Sequence, residues 1–180
     1  FDVMMETEQI NPHHCYTVGG HTLKAVSIIE NDRILRLAML FHDIGKPRCI
    51  SVDADGINHF RDHQRVGAVM TNDIMRRLKF DNDSIKKVTC YVLWHDARPG
   101  DSKKAVRRLI SRTGVDAYPG LFSIMRADIL AQSQFKRKEK LQALEKLMEN
   151  YRQIMEERQC VTTKDLALNG KDLMDMGVPC

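Results

Sequence analysis

Apolar residues recur at helical spacing along almost the whole chain, and on five predicted helices an imidazole or carboxylate sits on the apolar face. Positions i, i+3, i+4 and i+7 share one face of a helix. His21 therefore shares a face with Val18, Ala25 and Ile28, and His42 with Leu35, Ala38 and Met39. His63 falls with Val66, Gly67 and Met70; His95 with Val88, Tyr91 and Val92; Asp128 with Leu121, Ile124 and Met125. Asp43 directly follows His42 at a helix end. These are the faces that turn inward.

An unpaired buried polar group costs roughly 1–3 kcal/mol, and an unpaired buried charge costs more. One isolated case is a core histidine bonded to a main-chain carbonyl. Five such cases in one small core are met more simply by a shared partner, and a divalent cation offsets several penalties at once. Imidazole with carboxylate suits Mn, Fe, Co, Ni or Zn, with Mg where carboxylates dominate. His13, His14 and His59 fall in predicted loops and read as exposed or turn histidines.

The helices are expected at Val18 to Ile29, Arg33 to His42, Asp62 to about Lys79, and Asp81 or Asp83 to Trp94-His95. Gly45 and Pro47 should end the second of these. Cys49 to Phe60, with Asp55-Gly56 at its centre, reads as a hairpin or ordered loop. Asp101-Ser102 caps a basic helix to Arg112, and Asp116 to Ser133 follows with a break near Pro119-Gly120. The longest stretch, Gln134 to Arg158, carries Leu141, Leu144, Leu147, Met148, Tyr151 and Ile154 as one stripe, with Lys136 to Lys140 on its solvated side. A short helix after Gly170 ends at Gly177. The expected architecture is all-α, one domain over residues 1–180, with residues 134–180 as a helical extension packed on it.

No apolar run approaches the ~20 residues of a membrane span. Phe1 to Glu8 lack the basic start and apolar stretch of a secretory signal, so a cytoplasmic chain is expected. Five cysteines without C-x-x-C spacing argue against a disulfide framework or thiolate zinc site. Residues 60–112 hold thirteen Lys and Arg against six Asp and Glu. Arg76, Arg77, Lys79, Lys86, Lys87, Lys103, Lys104, Arg107, Arg108 and Arg112 are either an ordinary solvated face or a surface for a phosphate-rich partner such as a nucleotide or RNA. Oligomeric state is open.

His42-Asp43-Ile44-Gly45-Lys46-Pro47 resembles the signature of the HD superfamily of metal-dependent phosphohydrolases. His21 and Asp128 match the family pattern H…HD…D, and His63 in F-R-D-H-Q-R-V-G-A and His95 in W-H-D-A-R-P fit its extended form. Four segments resemble more narrowly the HD domain of bacterial tRNA nucleotidyltransferases of the CCA-adding and poly(A) polymerase family. They are Y-T-V-G-G-H-T from Tyr16, L-A-M-L-F-H-D-I-G-K-P from Leu37, R-A-D-I-L-A-Q from Arg126 and L-N-G-K-D-L-M from Leu168. No G-S strand-turn with a paired D-x-D precedes the HD region, so the chain is expected to be a piece of a longer enzyme, not itself a nucleotide transferase.

The resemblance implies an HD helical bundle with one small β-hairpin or loop insertion. It implies one or two divalent ions, the principal one on His21, His42, Asp43 and Asp128. His63 and His95 would hold a second ion or bind substrate phosphate, and Asp43 could bridge. Lys46 is implied to meet the substrate phosphate beside Asp43 as a catalytic group, and Arg98 is a further candidate for phosphate. Substrates so implied are 2′,3′-cyclic nucleotides, nucleoside phosphates or RNA ends. Two alternatives remain. One is an RNA-binding or structural domain with little activity, packed on a nucleotidyltransferase head and contacting tRNA. The other is a stand-alone nucleotide or dinucleoside-polyphosphate hydrolase.

Overall fold

Side-chain caps set where the helices begin. In the computed structural model, which describes residues 1–157 and 174–175, Thr17, Asp32, Asp81 and Ser102 accept hydrogen bonds from main-chain N–H groups three residues on, at 3.1, 2.9, 2.8 and 3.2 Å. Each satisfies a donor that the first turn leaves unpaired. They open α2 (Val18–Ile28), α3 (Arg33–Phe41), α6 (Asn82–Trp94) and α7 (Lys103–Thr113). The remaining helices are α1 (Asp2–Glu6), α4 (Lys46–Cys49), α5 (His63–Arg77), α8 (Gly120–Ala131) and α9 (Arg137–Glu156).

The expected insertion is a hairpin of β1 (Ile50–Val52) and β2 (Asn58–Phe60), antiparallel with Ile50 opposite Phe60, Ser51 opposite His59 and Val52 opposite Asn58. Among the described residues the fold is thus all-α with this one two-stranded insertion. The break near Pro119-Gly120 is a 3₁₀ turn, Val115–Ala117, ahead of α8. One expectation fails: Gly45 and Pro47 do not end α3. The helix stops at Phe41, and Gly45 instead precedes the short α4, with Pro47 in its first turn. Proline suits that position, where its missing N–H would find no helical partner anyway. The short helix expected after Gly170, the Leu168 to Met174 segment, Arg158, Cys160 and Cys180 lie outside the described residues, except for Met174.

Helices α2, α3, α6 and α8 form the centre: α2 packs on α3 and α8, and α3 on α6 and α8. Outside them α5 lies along α6, while α9 covers α8 and α7. Met39, Val88, Val92, Ile110, Leu121, Ile124 and Ile154 fill the core. Backbone also meets backbone. The turn before α4 presses on α5 so closely that a Cβ at Gly45 would overlap the His63 carbonyl oxygen and lie 2.7 Å from Gly67 N. Only glycine permits that approach. No described helix is long and apolar enough to cross a membrane.

Candidate metal centre

Five elements bring six titratable groups to one point. His21 comes from the middle of α2, and His42 and Asp43 from the turn after α3. His63 is the first residue of α5, His95 caps the C-terminus of α6, and Asp128 lies on α8. All six are buried, from 0 % relative exposure at His21 and His42 to 7 % at His63.

Three of the imidazoles are aimed by their own backbone. The Nδ1 atoms of His42, His63 and His95 each lie 2.7 Å from a carbonyl oxygen three residues back, at Met39, Phe60 and Val92. A carbonyl can only accept, so Nδ1 carries the proton and donates it. In the neutral ring Nε2 is then a bare lone pair. For His42 and His95, the carbonyl served is one that the end of a helix leaves unpaired.

These Nε2 atoms face one another and the carboxylates. His42 Nε2 lies 3.2 Å from His21 Nε2 and 3.2 Å from Asp43 Oδ2; His63 Nε2 lies 3.4 Å from both His95 Nε2 and Asp43 Oδ1. Asp43 Oδ2 is also 3.6 Å from His21 Nε2, and Asp43 Oδ1 is 3.7 Å from His95 Nε2. Asp128 Oδ1 is 2.9 Å from His21 Nε2 and 3.8 Å from His42 Nε2. The side chains therefore form two triads, His21–His42–Asp43 and Asp43–His63–His95, joined through Asp43.

Lone pairs turned on lone pairs repel unless a cation lies between them. Ligands about 2.1 Å from one ion stand roughly 3.0 Å apart at octahedral angles and roughly 3.4 Å at tetrahedral ones. The observed separations fall around those values, so the residues fit a divalent metal. One buried atom supports the fit: Asp43 Oδ2 receives no well-directed hydrogen bond although Lys46 Nζ is 2.8 Å away.

The electrostatics keep Asp43, Asp128 and His42 in ligand form, while His95 is drawn toward its protonated form. Burial pushes the Asp43 carboxyl up, but His42, Lys46 and His63 outweigh it and hold it well below the usual range. Asp128 is likewise raised by burial and lowered further by His21 and His42. Burial pulls His42 down, against the opposing pull of Asp43. For His95 burial acts the same way, but the Asp43 carboxylate prevails and the net shift is upward.

Lys46 is buried beside this cluster, with Nζ donating to Gln9 Oε1 at 2.7 Å and lying 5.3 Å from the centre of the Phe60 ring. Arg98 is not drawn in. Its guanidinium pairs with Asp96 at 2.7 Å on an exposed loop, at the rim of a cavity of about 650 Å³ over the cluster. His14, Lys46, His63, Gln132 and Lys140 line the same cavity.

Four of the groups here escaped the sequence reading. His14 is no exposed turn residue: its ring packs edge-on against His21, 5.1 Å between centres, and burial lowers its pKa to about 3. Lys140 leaves the solvated face of α9 because Gln132 Oε1 accepts from its Nζ at 2.6 Å. Gln132 in turn donates Nε2 to both Asp128 oxygens at 3.1 Å. Its place one helical turn after Asp128 was a usable signal. Gln9 carried none.

The family model for the HD domain matches residues 13–165, a span that includes every residue of both triads and Asp128. Among curated proteins, the A-adding tRNA nucleotidyltransferase of Deinococcus radiodurans is 40 % identical over 101 residues, 55 % of this chain and 23 % of that protein. The CC-adding tRNA nucleotidyltransferase of Thermus thermophilus is 35 % identical over 124 residues, 66 % of this chain and 28 % of its own length. The chain thus spans about a quarter of the relatives it matches. With the matched span, the helical bundle and the histidine–aspartate cluster in agreement, the chain belongs to the HD domain family.

Proposed function

We propose that the chain is a metal-dependent phosphohydrolase acting on nucleotides or RNA ends, of the phosphomonoesterase or 2′,3′-cyclic phosphodiesterase type. The observation that carries this reading is the convergence of unprotonated Nε2 atoms on the two oxygens of Asp43. His21, His42, Asp43 and Asp128 would hold the principal ion. His63 and His95 would hold a second together with Asp43, or else bind the substrate phosphate. Mn, Fe, Co, Ni, Zn and Mg all suit the donor set. A divalent ion bound there supplies Lewis-acid charge and acidifies water for attack on phosphorus. Lys46, and Arg98 from the rim, would neutralise phosphoryl oxygens while the ester P–O bond breaks and the hydroxyl leaves. Asp128 keeps His21 oriented.

The test is metal-dependent release of phosphate, or of ring-opened product from a 2′,3′-cyclic nucleotide. Activity should vanish in His42→Ala/Asp43→Ala; equal activity in that double variant defeats the reading.

A second reading has its own support. Arg76, Arg77, Lys79, Lys86, Lys87, Lys104, Arg108 and Arg112 are exposed, and both relatives are named as tRNA nucleotidyltransferases. The domain would then bind tRNA beside a nucleotidyltransferase head, with or without turnover. Affinity for tRNA should fall steeply with salt, and neutralising Lys104 and Arg108 should flatten that slope. Binding that ignores salt argues against it. We read residues 1–180 as one domain with residues 134–180 as its extension, supported by the packing of α9 on α8 and α7. The free thiols of Cys15, Cys49 and Cys90 suit a reducing cytoplasm.

A further inference from the structure

We infer that a second cavity, beside the metal centre, is the subsite for the nucleobase of the substrate; this rests on the phosphohydrolase reading for the class of ligand. The cavity measures about 320 Å³ and lies between α8, α9 and the loop after α6. That is the lower end of the roughly 300–1,000 Å³ typical of small-molecule pockets, and it suits a single heterocycle with its sugar. Met125 and Ile129 of α8 and Leu144 and Leu147 of α9 give it an apolar wall, all four buried.

Its position follows from the elements that build the metal centre. Met125 and Ile129 flank Asp128 on α8, and the loop that closes the other side begins just after His95. Arg98 and Lys140 line this cavity and also the larger one over the cluster. Lys140 is two hydrogen bonds from Asp128, through Gln132 at 2.6 Å and 3.1 Å. An apolar pocket and a candidate cation site therefore meet at Lys140 and at Arg98, whose charge Asp96 partly offsets. A nucleoside phosphate has the matching layout, with an anion at one end and a flat, weakly hydrated ring at the other. Its phosphate would lie between the cluster and Arg98–Lys140, and its base against the leucines.

Calorimetry on the manganese-loaded chain tests this with two ligands that cannot be hydrolysed. Adenosine 5′-phosphonate, with carbon as the bridging atom, carries the base; methylphosphonate carries only the anion. The adenosine compound should bind tighter by about tenfold, the factor that roughly 60 Å² of buried apolar surface supplies. Ala143 is an exposed residue of α9 on the cavity wall, away from the cluster. Ala143→Phe should erase the preference and leave methylphosphonate affinity unchanged, with Ala143→Leu intermediate. Equal affinities in the unsubstituted protein overturn the subsite, as does a preference that survives Ala143→Phe. Tighter binding of decyl phosphonate than of the adenosine compound would assign the cavity to an acyl chain and overturn it too. Turnover of 2′,3′-cyclic adenosine monophosphate on the same samples separates the two ideas. Base-dependent binding without turnover removes hydrolysis and keeps the subsite; turnover without base dependence removes the subsite alone.

Discussion

Replacing Gly45 by alanine should disable one half of the metal centre and spare the other. The added Cβ would lie 2.7 Å from Gly67 N and closer still to the His63 carbonyl oxygen. Ordinary van der Waals contact begins near 3.4 Å, so clearing Gly67 N alone needs a retreat of roughly 0.7 Å and clearing the nearer His63 carbonyl oxygen needs more. His63 opens α5 and moves with it, so its Nε2, now 3.4 Å from Asp43 Oδ1, would stand beyond roughly 4.1 Å. His21, His42 and Asp128 do not ride on α5 and should keep their places. Overpacking of this kind costs about 1–3 kcal/mol. For a domain of this length each kcal/mol lowers the melting temperature by about 2–4 °C. Thermal unfolding with elemental analysis of metal-loaded protein is the assay: the variant should melt several degrees lower and lose the ion proposed for His63 and His95. Gly67→Ala is the control, because its Cβ would sit 3.4 Å from Gly45 N, an ordinary contact. A Gly45→Ala protein with the parent's melting temperature and metal content would refute the reasoning.

Saturating Mn or Ni at about 100 times its dissociation constant should stabilise the chain by about 2.7 kcal/mol, read as a thermal shift that a chelator reverses and His42→Ala/Asp43→Ala lacks. Gln132→Leu removes both hydrogen bonds that its Nε2 donates to Asp128 and should weaken metal affinity by about 10–100-fold in a calorimetric titration, with little change in helix content by circular dichroism. Ile154→Ala empties a fully buried site under α9 and should cost about 2–5 kcal/mol in denaturant unfolding. Asp81 is held below the usual carboxylate range by donors from Ser84, so its capping contribution is present above its unfolded pKa and lost as pH falls through the folded one. The stability gap between the parent and Asp81→Asn should therefore narrow on acidification below about pH 4 in acid-titrated melts.

What the sequence made legible was mostly local. Asp32, Asp81 and Ser102 announce helix starts because a cap needs only its own first turn. Helical spacing put His21, His42, His63, His95 and Asp128 on inward faces, where all are buried. What stayed hidden depends on contacts between distant segments. The stretch before α2 is tied down by Val18 N to Thr7 O, Asn58 N to Ile10 O and Ser133 N to His13 O, at 2.8, 3.0 and 2.9 Å. Those bonds bring His14 to the cavity and Gln9 to Lys46, and no periodicity encodes them. Lys140 looked solvated for the same reason: its partner Gln132 lies across a chain turn, not on its own helix.

Lys46 places a positive charge against Asp43, the carboxylate common to both triads. The chain's own ammonium is thus one of the charges that hold Asp43 ionised. Were a divalent ion bound at Asp43, Lys46 would be free to pair with an anionic guest. Order of addition should then matter, with the cation entering before the phosphate.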